Sequence, residues 1–171
     1  MKTAAIIVGF VAMAVLVLSY QQKTRKWILI CNITARSLFI LQYIMLFAFE
    51  GMALDIVGIV GSLLAQQKDK PFIQKHQKAV VVGVNALIIT VGLAMYRNLF
   101  SLLPLVAVLL QIDALWCSKE KHVRLLSLIA VPWWLIYNGY CSAWGSVAGD
   151  LMSLISLVAA MLRYDLKKVA K

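Results

Sequence analysis

Seven apolar runs, parted by short basic gaps, limit what this chain can become more than any other feature. They cover residues 4–20, 27–48, 51–66, 79–96, 99–117, 123–141 and 145–162. Runs of this length suit a hydrocarbon core of about 30 Å. In lipid every backbone N–H and C=O must be satisfied within the chain, which leaves helices or closed barrels. No ten-residue in-and-out alternation argues for a barrel, so each run is read as a helix. The shortest, 51–66, reaches about 24 Å and needs its flanks or a thinner bilayer to span. Lys2 followed by an apolar run also suits a signal peptide. However, Val17-Leu-Ser-Tyr-Gln-Gln carries no small-x-small cleavage site, so the run is read as a retained span.

The net charge of +10 would suggest nucleic acid in a soluble protein, but this chain is 63% hydrophobic and 14% charged. Soluble domains run at about 45–50% apolar and about 25% charged. The basic residues fall between apolar runs, where lipid headgroups are the natural partner, and nucleic acid is excluded. If all seven runs span, fourteen basic residues share one side: Lys23, Arg25, Lys26, Lys68, Lys70, Lys75, Lys78, Lys119, Lys121, Arg124, Arg163, Lys167, Lys168 and Lys171. The other side has Lys2 and Arg97. The positive-inside rule then predicts an external N-terminus and a cytoplasmic C-terminus. Aromatic residues agree, with Tyr20, Trp27, Trp116 and Tyr164 at the inner boundary and Tyr96, Phe100, Tyr140 and Trp144 at the outer. Cys31, Cys117 and Cys141 are too scattered for a disulfide framework or a zinc site and read as small apolar fillers. His76 and His122 lie in basic loops, away from any nucleophile or metal-spaced partner. The chain is therefore not read as an enzyme, and no cofactor is expected.

An internal duplication sets the layout. Residues 131–150 gather a proline, three tryptophans, two tyrosines, an asparagine and an acid, and a paler copy runs over 37–55. In both, a tyrosine (Tyr43, Tyr137) is followed eight residues later by a glycine (Gly51, Gly145). Four or five further comes an acid (Asp55, Asp150). The long loop 66–78, with Pro71, divides the chain after three spans, and the fourth span has no counterpart. An odd number of helices between the copies makes them parallel repeats. The predicted fold is thus an all-α membrane protein with seven transmembrane helices. Two parallel three-helix bundles are joined by a linker helix (3+1+3): 1–66, then 67–98 with the basic loop and linker, then 99–171 with a cytoplasmic tail.

Polar residues inside apolar helices are the candidates for function. Arg36 lies near mid-membrane, shares a face with Asn32 and Tyr43, and needs a partner, for which Asp55 and Asp113 are within reach. It is either half of a structural ion pair, a snorkelling side chain, or an anion-binding fork. Asp55 and Asp150 lie on stripes of small residues (Gly51, Gly58, Ser62; Ser146, Ser153). Such a stripe is either a packing surface or a cavity wall. Trp133, Trp134, Tyr137 and Asn138 form a polar-aromatic turn that Pro132 is expected to bend. Asn85 and Gln42 are single polar contacts. The candidate solute-binding set is Arg36, Tyr43, Asp55, Asn85, Trp133, Tyr137, Asn138 and Asp150, and one of the two acids is expected to take part in proton or cation coupling.

The basic loop before the second span, the sequence Trp134-Leu-Ile-Tyr-Asn, and Leu151-Met-Ser-Leu-Ile-Ser-Leu with Leu162-Arg-Tyr-Asp resemble the YgjV-type bacterial inner-membrane proteins. The resemblance is strongest over 125–165. The 3+1+3 plan in turn resembles the SWEET/PQ-loop superfamily of sugar and metabolite carriers. That resemblance implies a transporter of a sugar or small metabolite in the bacterial inner membrane, working by alternating access. Its partners would be lipids and the solute, with a homo-oligomer left open. It also implies hinges at Pro104 and Pro132, although the first repeat has Gly9 and Ser37 there and the chain lacks a Pro-Gln pair. Where those carriers place paired asparagines, this chain has Asp55 and Asp150. The residues alone also allow a non-transporting receptor or assembly protein with a structural polar core.

Overall fold

The computed structural model describes residues 2–21 and 25–163, and these are helical throughout apart from short turns. Eight α-helices follow in order: α1 (Lys2–Gln21), α2 (Arg25–Met45), α3 (Phe49–Ala65), α4 (Pro71–Lys75), α5 (Gln77–Ala94), α6 (Leu102–Trp116), α7 (Glu120–Tyr140) and α8 (Trp144–Met161). A single 3-10 turn, Leu99–Ser101, leads into α6. The seven long helices fall on the seven apolar runs. By length and composition, Gln77–Ala94, Leu99–Trp116 and Trp144–Met161 are apolar enough to cross a membrane, while Lys2–Leu16 and Ile33–Met45 are shorter apolar stretches. Charge explains part of the difference. Helix α2 carries Arg36, α3 carries Glu50 and Asp55, and the start of α7 carries Glu120, Lys121 and Arg124. The short α4 was not expected; Pro71 occupies its first turn, where a proline loses no hydrogen bond. Lys23, Tyr164 and the basic tail lie outside the described residues, as do the side chains of Tyr20, Arg25, Lys26, Trp27 and Asn32.

Helix α2 stops three residues short of its apolar run because the backbone turns at Phe47, whose φ is 58°. Helix α7 ends in the same way at Ser142, also with φ 58°. In the first corner the Phe47 N–H donates to the Ile44 carbonyl at 3.2 Å and Ala48 to Tyr43 at 2.9 Å. In the second, Ser142 donates to Gly139 at 3.1 Å and Ala143 to Asn138 at 2.9 Å. Both are Schellman closures, made here without the usual glycine in the left-handed position. This backbone match fixes which residues of the two copies correspond: Tyr43 with Asn138, Ala48 with Ala143, Gly51 with Ser146, and Asp55 with Asp150. Pairing by side-chain identity, Tyr43 with Tyr137 and Gly51 with Gly145, is one residue out of register, because the corner and not the tyrosine sets the equivalence.

The helices close into a ring. Helix α1 packs on α2, α2 on α3, α3 on α6, α6 on α7, α7 on α8, and α8 back on α1. Exchanging α1, α2, α3 for α6, α7, α8 reproduces every neighbour pair of that ring. Helix α5 lies outside it, against α3 and α6. At the α8–α1 seam a Cβ on Gly145 would fall on the backbone of Gly9, so two glycines permit this close approach. Leu54, Ile88, Val108, Ile112 and Trp116 fill the α3–α5–α6 core. The outer surface carries exposed Ile7, Phe10, Val82, Leu93 and Ile155, a distribution that suits lipid rather than water.

Candidate functional site

Inside the ring lies a cavity of about 160 Å³, lined by residues of α1, α2, α3, α6, α7 and α8. Arg36 reaches it from α2 and donates from Nη1 to Asp55 Oδ1 on α3 at 2.7 Å. Gly58, on the same face of α3 as Asp55, leaves room for the guanidinium: a Cβ there would lie 3.3 Å from Arg36 Nη1. A second chain of contacts crosses the cavity. The Tyr43 hydroxyl donates to Asn138 Oδ1 at 2.7 Å, and Asn138 Nδ2 donates to Asp150 Oδ2 at 2.7 Å. Tyr43 and Asn138 correspond by the corner match, so this bond joins equivalent residues and lies where a two-fold relation between the copies would have its axis. Trp134 stacks near Tyr43 with centroids 6.3 Å apart and donates from Nε1 to Gln111 Oε1 at 3.2 Å.

A hydrogen-bonded layer closes the cavity toward the corners. The Gly51 N–H donates to the Tyr137 hydroxyl at 2.9 Å, supplying a partner for a donor in the first turn of α3. The Ser146 hydroxyl donates to Gln42 Oε1 at 2.7 Å. Gln42 corresponds to Tyr137 and Ser146 to Gly51, so these two bonds are the same contact made once by each copy. Beyond this layer a wider cavity of about 600 Å³ opens at the corner end. Glu50 there lies 3.7 Å from Arg97 Nε and accepts a hydrogen bond from Ser101 at 3.2 Å. Tyr137 lines the wider cavity, whereas Tyr43, Asn138 and Ser146 line the central one. The layer therefore separates the two.

Of the residues singled out from the sequence, Arg36, Tyr43, Asp55, Asn138 and Asp150 line the central cavity, and Tyr137 belongs to its closing layer. Trp133 does not join them. It is 37% exposed on the outer face of α7, and Trp134 is the tryptophan that turns inward. Successive helix positions are about 100° apart, so a single member of the pair can face the interior. Asn85 is elsewhere too: α5 lies outside the ring, and Asn85 donates to Asp113 Oδ1 at 2.8 Å. That contact also engages Asp113, the other acid considered for Arg36. Pro104 stands in the first turn of α6, where a missing N–H costs no helix hydrogen bond, and Pro132 is inside α7. Gln111 lines the cavity without being among the residues expected from sequence. Its signal is a polar residue in a helix that otherwise holds Asp113 as its one other polar side chain.

The comparisons with known proteins bear on the origin of this arrangement. One family model, that of the Imp-YgjV bacterial inner membrane proteins, matches residues 3–168. The chain belongs to the YgjV family. It is thus a bacterial inner membrane protein, and the outward-facing apolar side chains of its ring have lipid as their solvent. No curated protein and no solved structure matches this YgjV-family chain.

Proposed function

We propose that the chain is a small-solute transporter, with the central cavity as its binding site and the two halves of the ring rocking about it. One observation carries this reading: the cavity lies on the seam of two corresponding halves and is lined by corresponding residues, the counterparts Asp55 and Asp150 both lining it and Tyr43 bonded to Asn138. Parallel repeats in carriers place the solute at such a seam. The layer of Tyr137, Gly51, Gln42 and Ser146 would be the closed gate, and the cavity at the corner end its vestibule. In this reading all seven long helices span, in a 3+1+3 plan like that of the SWEET/PQ-loop carriers, with the N-terminus outside and the C-terminus in the cytoplasm. The cavity of about 160 Å³ is smaller than the roughly 300–1,000 Å³ of drug-sized sites, which points to a small metabolite rather than an oligosaccharide. The reading assigns the chain no catalytic chemistry.

The rival is a receptor or assembly protein whose polar residues only hold the bundle together, and the Arg36–Asp55 pair favours it, since each group satisfies the other. Uptake of a panel of small metabolites into proteoliposomes separates the two. Saturable uptake of at least one, lost when Tyr43 and Asn138 are both replaced by alanine, is the expected outcome. No uptake of any panel member above protein-free vesicles, with the protein shown folded, would favour the structural reading.

A further inference from the structure

Among the residues that line the cavity, the two halves differ in charge at one pair of corresponding places. Under the corner match Asp55 corresponds to Asp150, Gly58 to Ser153, and Arg36 to Val131. In the first half a guanidinium sits against the acid at 2.7 Å. In the second half the acid is present and the guanidinium is not. Val131 cannot supply a donor, yet Val131, Asp150 and Ser153 all line the cavity. Arg36 is the one basic side chain among the described residues lining it, and Asp55 already holds it.

Among the described residues, Asp150 receives one neutral hydrogen bond, from Asn138 to Oδ2. A carboxylate at this depth is costly without a cation or several donors. The Ser153 hydroxyl donates to the Gly149 carbonyl at 2.9 Å, which leaves its oxygen lone pairs free to accept. Oδ1 of Asp150 and Oγ of Ser153 therefore offer two acceptors beside the volume that the missing arginine head would fill. The rings of Tyr43 and Trp134 line the same cavity, and the face of such a ring attracts a cation.

We propose that the solute carries a cationic nitrogen head, ammonium or guanidinium, which seats against Asp150 as the Arg36 guanidinium seats against Asp55. This rests on the cavity being the solute site; it adds the chemical class. The arrangement also argues against an anionic solute, because the arginine that would attract one is neutralised within the protein.

The test is equilibrium binding to the purified full chain in detergent, read by tryptophan fluorescence, for which Trp134 is a reporter at the cavity. The probes are methylguanidinium and methylammonium, with sodium, tetramethylammonium and acetate at equal ionic strength as controls. Saturable binding of a probe with N–H donors is expected, weakened at least about tenfold in Asp150→Asn, the loss of one charge-assisted bond. Val131→Arg supplies the missing guanidinium and is expected to abolish binding while raising the unfolding temperature. Ile136→Ala, exposed on the outer face of α7, should retain binding. If Asp150→Asn fails to fold, Val131→Arg still decides the matter. The proposal is overturned if sodium saturates the response as well as methylguanidinium, if acetate binds instead, or if Val131→Arg binds like the unmodified chain. Because binding is read without transport, cation binding with no uptake of any cation would sink the carrier reading and leave this one standing. Saturable uptake of neutral or anionic solutes without cation binding would do the reverse.

Discussion

The hydroxyl of Tyr137 does two jobs with one atom: it fills the space above Gly51 and accepts that residue's N–H at 2.9 Å. A Cβ on Gly51 would lie 2.7 Å from Cε1 of the tyrosine ring, so glycine is needed for the approach. Tyr137→Phe keeps the ring and leaves a buried donor unpaired, which costs about 1–3 kcal/mol. Thermal unfolding in detergent should show that loss, and Tyr140→Phe, on an exposed ring, should stay within about 0.5 kcal/mol of the unmodified chain. Arg36 and Asp55 form a charge pair of the kind whose halves cannot be removed singly. Arg36→Leu strands the carboxylate and should destabilise by about 3–5 kcal/mol, while Arg36→Leu with Asp55→Leu should recover most of it. A double variant that loses as much as the two single variants added together would show that the pair is not coupled.

At the scale of elements, the corners after α2 and α7 decide the register of everything beyond them. Each places a non-glycine residue, Phe47 or Ser142, in the left-handed region, where an L-residue is disfavoured by roughly 1–2 kcal/mol. Ser142→Gly should therefore stabilise, by up to about 1 kcal/mol once the extra freedom of glycine in the unfolded chain is subtracted. A lower unfolding temperature in Ser142→Gly would mean that the serine side chain contributes more than its backbone strain costs. The seam between α8 and α1 is equally local in cause. Gly145→Ala drives a methyl group into the backbone of Gly9, which neither helix can relieve by moving a side chain. Overpacking of about 1–3 kcal/mol or more is expected, read as reduced yield of folded protein and earlier unfolding.

For the whole molecule, the ring and its outward apolar surface are consistent with a chain that uses lipid as solvent and keeps its polar groups facing inward. The orientation proposed from the basic residues is checked with reporters. A fusion at the C-terminus should be active only as a cytoplasmic reporter and one at the N-terminus only as an external one. The opposite pattern would turn the proposed gate toward the cytoplasmic side of the membrane. Most of the helix layout was legible in advance, because a membrane span is encoded by a local property, the length of an apolar run. The site was legible in part. Arg36, Asp55 and Asp150 stood out because charge in an apolar helix is costly wherever it sits, whereas Gln111 and Trp134 are ordinary until the partner helix is known.

The sequence by itself determined where the chain is helical, and it predicted that the second half repeats the first. Those properties depend on hydropathy and on residues close in sequence. Only the tertiary structure decided the register of the repeat, since that follows from backbone dihedrals at Phe47 and Ser142 that side-chain types did not announce. The structure also decided between partners. Arg36 had two acids within reach, and ring closure brings Asp55 to it while Asn85 takes Asp113. Trp133 and Trp134 were separated by helix rotation, and Asn85 was set apart because α5 packs outside the ring. A contact between helices far apart in sequence depends on which faces meet, and one-dimensional patterning leaves that choice open until the ring closes.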